Sequence, residues 1–131
     1  MPASGVTATA SVNHSEIYGN YYGVVGDGRS GATIRATISD SVVSGNTKAG
    51  VAAIGSSTSV EVLLDQVKLS ENLAGLYVSG SNSAILARNI SVFDNATGLE
   101  TANGGRLLTA GNNTVIGNTT NGAFTGTVPP Q

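Results

Sequence analysis

The 131 residues carry six Lys plus Arg against eight Asp plus Glu, for a net charge of −2, with 11 % charged residues and no Cys. That balance excludes the clustered basic stripe of a nucleic-acid binder and rules out disulfides and thiolate metal sites. No apolar run approaches a membrane span, so no membrane insertion is expected. Gly, Ser, Thr and Asn supply 59 residues, as in a disordered linker, but 40 % of the chain is apolar and these residues fall in columns.

In chain order, Met1-Pro2-Ala3-Ser4-Gly5 has neither a basic n-region nor an apolar h-region, so it does not read as a signal peptide. Ala8, Ala10 and Val12 then alternate with polar residues, the period of a strand. Asn13-His14 form a turn, Ile17 resumes the apolar face, and Asn20 is followed by Gly23-Val24. The same order returns four times, at Asn46-Gly50-Val51, Asn72-Gly75-Leu76, Asn95-Gly98-Leu99 and Asn118-Gly122-Ala123. The asparagines are 26, 26, 23 and 23 residues apart.

Aligned on Asn, the position three before it is Ile17, Val43, Leu69, Val92 and Val115. Eight before it stand Val12, Ile38, Leu64, Ala87 and Ala110, and ten before it Ala10, Ala36, Val62, Ile85 and Leu108. Turns at Ser39-Asp40, Asp65-Gln66, Arg88-Asn89 and Gly111-Asn112 divide each repeat as Asn13-His14 divides the first. The twelve residues leading into each Asn keep one length, and insertions fall only in the remaining turns. The pattern predicts one all-β domain over residues 1–131: a right-handed parallel β-helix of five coils, three short strands per coil. A leucine-rich repeat is disfavoured, because the position two after Asn reads Tyr22, Lys48, Ala74, Thr97 and Thr120. A left-handed hexapeptide helix needs multiples of six, which 23 is not.

Coils stack about 4.8 Å apart, so like residues lie on like. Asn20, Asn46, Asn72, Asn95 and Asn118 are therefore expected to form an amide ladder inside one turn. Coil three has the fullest core, with Val60, Val62, Leu64, Val67, Leu69, Leu76 and Val78 inward. Coil one offers Ala8, Ala10, Val12, Ser15, Ile17, Val24 and Gly26, and coil five Arg106, Leu108, Ala110, Asn113, Val115, Ala123 and Thr125. Pro129-Pro130 are expected to end the ladder, while the first coil presents an uncapped strand edge.

The recurring S-x-N-x-x-G-L/V strings, and the ending G-N-N-T-V-I-G-N-T-T-N-G-A-F-T-G-T-V-P-P-Q, resemble the pectate-lyase-like right-handed β-helix superfamily. More narrowly, the chain is similar to the C-terminal coils of secreted bacterial β-helix repeat proteins of unassigned activity. The resemblance implies a secreted or cell-surface location and a piece of a longer helix. It does not choose among lyases, hydrolases, adhesins and phage-tail proteins.

Chemistry requires outward residues. Glu71 and Asp94 each precede a ladder Asn in adjacent coils, close enough to act as a carboxylate pair, and are the candidate catalytic residues. Outward columns Thr9, Arg35, Glu61, Ala84, Leu107 and Ser11, Thr37, Leu63, Leu86, Thr109 hold one carboxylate, too few for a calcium site; no metal or cofactor is expected. Arg35–Glu61 and Asp65–Arg88 read as surface ion pairs. His14 and the turn at Asp27-Gly28 read as surface, and the Asn-x-Ser/Thr strings at Asn13, Asn89, Asn95, Asn112 and Asn118 as products of composition. Leu63, Leu86 and Leu107 form the candidate contact patch, and Tyr21, Tyr22 and Tyr77 the candidate sugar-stacking set.

The reading favoured is therefore a structural or interaction module without readable catalysis. Its expected partner is a second copy, held through the leucine patch or the uncapped first coil. The alternative is a protein that binds or processes polysaccharide.

Overall fold

The computed structural model describes residues 7–29, 31–56 and 58–128; the expected stop at Pro129-Pro130 and the stretch before Thr7 lie outside them. The described elements are all strands: β1 (Thr7–Asn13), β2 (Glu16–Tyr18), β3 (Tyr22–Asp27), β4 (Thr33–Ser44), β5 (Ala49–Ile54), β6 (Val60–Ser70), β7 (Ala74–Ser79), β8 (Ser83–Arg88), β9 (Ser91–Phe93), β10 (Thr97–Ala102), β11 (Arg106–Gly111), β12 (Thr114–Val115) and β13 (Gly126–Thr127). They pair in parallel, and β1-β4-β6-β8-β11-β13 is the main path of one sheet, while β3-β5-β7-β10 form the other. The result is a parallel β-solenoid of about four turns.

Each coil turns because a residue at each of its first two corners takes a left-handed backbone. At the first corner these are His14, Asp40, Gln66, Asn89 and Asn112, with φ between 50° and 58°. Asn, Asp and His enter that region more readily than branched or apolar residues. At the second corner they are Gly19, Gly45, Glu71, Asp94 and Gly117, with φ between 56° and 74°. In coils two and three the strand runs unbroken through the first corner, so β4 and β6 do the work of two strands each.

The core follows the columns. Ile38, Val43, Val60, Val62, Leu64, Val67, Leu69, Leu76, Val78, Ile85 and Val92 are all buried. Full burial of such side chains stabilises by roughly 1.5–3 kcal/mol each. Coil three is the fullest, as its sequence implies, whereas Val12, Ile17 and Val24 of coil one are only partly covered. Gly50, Gly75 and Gly98 follow the ladder because a Cβ there would lie 2.7–2.9 Å from a backbone oxygen of the next coil. The glycine is thus a packing requirement, whether it falls three or four residues after Asn.

The fifth coil departs from the predicted repeat. Leu107 pairs with Ile85 and Leu108 with Leu86, and the register shifts by one between Thr109 and Gly111. A β-bulge at Ala110 supplies the extra residue, so the run into this Asn is not of constant length. The consequence corrects three expectations: Leu107 is fully buried, Leu108 faces outward beside Leu86, and Arg106 is exposed rather than inward. The predicted third strand of this coil is also absent from the described residues. After the Thr97–Thr120 bridge the chain turns back early, and β13 pairs with β11. Phe124 packs against the core in place of Ala123, which is exposed. The Thr125 hydroxyl accepts from the Leu107 N–H at 2.9 Å and donates to its carbonyl at 3.1 Å, covering the last strand edge.

Candidate functional site

The asparagines are part of the scaffold. The side-chain amides of Asn46, Asn72 and Asn95 donate in turn to the Oδ1 of the next ladder residue, at 2.8, 3.1 and 2.9 Å. The same oxygens accept the backbone N–H of the preceding Asn at 2.9–3.0 Å, and Asn46 Oδ1 accepts the Asn20 N–H at 3.0 Å. At Asn118 the pattern changes, and Asn121 Oδ1 takes its backbone and side-chain donors at 3.2 and 3.0 Å. Asn20 joins only through its backbone, its amide being exposed and bonded to the Tyr18 carbonyl. The side-chain ladder therefore has four members, with Asn121 as its terminator. Of the Asn-x-Ser/Thr strings, those at Asn95 and Asn118 have their amides committed inside this ladder.

Glu71 and Asp94 lie in adjacent coils, as the repeat requires, and the Glu71 N–H donates to the Asp94 carbonyl at 3.1 Å. Both are exposed and occupy the left-handed corner that Gly holds in the other coils. Their position is explained by the turn, which leaves room for a side chain: a Cβ at the equivalent Gly19 or Gly45 would meet nothing within 4 Å. His14 Nε2 lies 3.9 Å from Asp40 on the neighbouring corner, with both side chains exposed.

The first outward face belongs to the long sheet. Its register rows read Thr9, Arg35, Glu61, Ala84, Arg106; then Ser11, Thr37, Leu63, Leu86, Leu108; then Asn13, Ser39, Asp65, Arg88, Gly111. Leu63, Leu86 and Leu108 are consecutive neighbours across three coils and line a shallow depression with Glu61, Ala84 and Arg106. Leu63 is 43 % exposed, and the other two are half-buried. On one flank, Asp65 is satisfied within the chain, by Arg88 at 3.3 Å and by the Asn89 amide at 2.9 Å. On the other flank the expected Arg35–Glu61 pair is not formed. The two are register neighbours, but no ion pair of Arg35, Glu61 or Arg106 closes within 4 Å among the described residues.

The second outward face belongs to the sheet β3-β5-β7-β10. Tyr22 and Tyr77 pack onto a patch of Ala49, Ala52, Ile54 and Ala74, outside the main core. Tyr21 meets Tyr22 edge to face at a centroid distance of 4.9 Å, and the Lys48 ammonium sits 5.4 Å over the Tyr77 ring. Burial, and then the neighbouring Tyr21, push the Tyr22 phenol above its usual range. All three predicted tyrosines are thus drawn to one face, with a cation that the sequence reading did not assign to it. Nearby, Arg29 grips Asp27 with two side-chain bonds of 2.9 and 2.6 Å, and this hydrogen-bonded pairing holds the Asp27 carboxyl below the usual carboxylate range.

Leu108 and Arg106 on the first face, and Lys48 with the alanine floor on the second, are the residues missed from sequence. Arg106 carried a usable signal, because a charged side chain at a core position without a partner costs several kcal/mol and argues for a shifted register. Compared with models of known protein families, with curated proteins and with solved structures, the chain matches none.

Proposed function

We propose that this chain is an interaction module of a secreted or cell-surface β-helix protein, of the right-handed, pectate-lyase-like kind. Its contact surface is the leucine row of the long sheet. The observation that carries this reading is the outward alignment of Leu63, Leu86 and Leu108 on three successive strands, on a regular sheet face. Contiguous exposed apolar surface on a soluble domain favours a protein contact, where isolated leucines would not. Hydrophobic-interaction chromatography tests it directly. The wild type is expected to elute later than the triple variant Leu63→Ser, Leu86→Ser, Leu108→Ser, with both folded by circular dichroism. Equal retention would refute a functional apolar face.

A second reading rests on the tyrosine face. Tyr22 and Tyr77 over an alanine floor, with Lys48 beside them, provide the stacking surface and polar partner that a pyranose ring uses. Affinity electrophoresis through gels containing neutral or acidic polysaccharides is expected to retard the wild type more than Tyr77→Ala. Unchanged mobility of the wild type in every gel would exclude it.

A further inference from the structure

We infer that the partner of the leucine face is a second copy of this chain, paired through a two-fold axis that runs along the strands at the level of Leu86. This rests on the contact reading above and adds its occupant. A closed dimer uses the same patch on both copies, so each residue must meet an acceptable partner after the two-fold rotation.

Two orientations bring the leucine rows together face to face. If the axis follows the solenoid axis, the two flanking rows exchange, and Glu61 of one copy faces Asp65 of the other. That places like charges together. If the axis follows the strands, coil three of one copy faces coil five of the other, and every row faces itself. Leu63 then meets the second copy's Leu108, Leu86 meets its own equivalent, and Glu61 meets the second copy's Arg106. Symmetry makes the last contact twice. Ala84 lies between Glu61 and Arg106 in the same row, and its small side chain leaves room for the sheets to approach. Arg88 faces its own equivalent in this arrangement, but it is already paired with Asp65 inside its chain at 3.3 Å. The flank that carries free charges is the flank on which rotation pairs them oppositely.

Three leucines and two ion pairs form a contact smaller than a standard interface, so association is expected at about 0.1–1 mM rather than at nanomolar concentration. The experiment is sedimentation velocity over that range, each variant first checked for a wild-type circular dichroism spectrum. Wild type is expected to form a dimer, and Leu86→Asp to weaken it by about tenfold or more. Glu61→Arg and Arg106→Glu alone each place like charges across both contacts and are expected to remain monomeric. Mixed in equal amounts, the first variant brings a cation at both positions and the second an anion at both. Both contacts are then opposite in sign again, and the dimer is expected to return.

A mixture that stays monomeric, or single variants that dimerise like wild type, would overturn this geometry. A wild type that is monomeric up to about 1 mM would overturn self-pairing altogether. The chromatographic comparison would then still decide, on its own, whether the face is adhesive for another protein.

Discussion

Replacing Asn72 by Ala removes the central member of the amide ladder. Its Oδ1 accepts from the Asn46 N–H at 3.0 Å and the Asn46 amide at 2.8 Å, and its Nδ2 donates to Asn95 Oδ1 at 3.1 Å and to the Val43 carbonyl at 3.2 Å. Not all four losses weigh equally. The Asn46 amide keeps the Ser44 carbonyl, and Asn95 Oδ1 keeps the Asn72 backbone N–H. The Asn46 N–H, in a residue only 2 % exposed, loses its acceptor. One stranded buried donor costs about 1–3 kcal/mol and each weakened bond about 1 kcal/mol, so a loss of about 2–4 kcal/mol is expected. Asn20→Ala is the internal control, since the Asn20 amide is exposed and outside the side-chain ladder, and its loss should stay within about 0.5 kcal/mol. Urea unfolding followed by far-ultraviolet circular dichroism measures both, with the slope held in common as the check on the unfolded state. If the two variants fell within about 0.5 kcal/mol of each other, the ladder would not be a major source of stability.

Three further outcomes are expected. Leu69→Ala should lose about 2–5 kcal/mol in the same assay, and more than Ile17→Ala, because Leu69 is fully buried and Ile17 only half-buried in the first coil. Glu71→Gly should leave the urea midpoint nearly unchanged, since relief of a left-handed backbone of about 1 kcal/mol offsets the added freedom of the unfolded chain; a large loss would show that the carboxylate does more than occupy the corner. Because the Asp27 carboxyl is lowered on folding by Arg29, it contributes stability above its unfolded value and loses that contribution as pH falls through the folded one. Thermal midpoints below about pH 4 should therefore fall less steeply in Asp27→Asn than in wild type, and parallel profiles would refute the pairing.

The fold was legible because stacking converts vertical neighbours into sequence columns. Ile17, Val43, Leu69, Val92 and Val115 can be aligned without knowing any coordinates, and so can the asparagines. What escaped was the fifth coil. Leu107 and Leu108 are both apolar, so either fits the core column, and a one-residue bulge leaves no mark in a count anchored at Asn118. The side of the strand on which Arg106 belongs was the available clue. Asn121 also escaped, because a ladder terminator reaches across three residues of one turn and does not repeat. The tyrosine face was partly legible: alternation turned Tyr77 outward, but only the pairing of Tyr22 with Ala49, and of Ala52 with Tyr77, brings the rings over one floor. Lys48 comes to Tyr77 from the turn that the four-residue Asn-to-Gly spacing enlarges.

The ladder also has a direction. Every amide in it donates toward the C-terminal coil, so its dipoles align head to tail, and each bond polarises the next. The two ends of such an array are not equivalent: at one, Asn121 closes the sequence of donors, and at the other, the Asn20 amide has turned away to Tyr18. Coil one, with the thinner core, is therefore expected to open before the most tightly packed turn. In hydrogen exchange this asymmetry would appear as protection that climbs from Val12 through Val43 to Leu69, a thermodynamic gradient written along the axis of an otherwise repetitive rod.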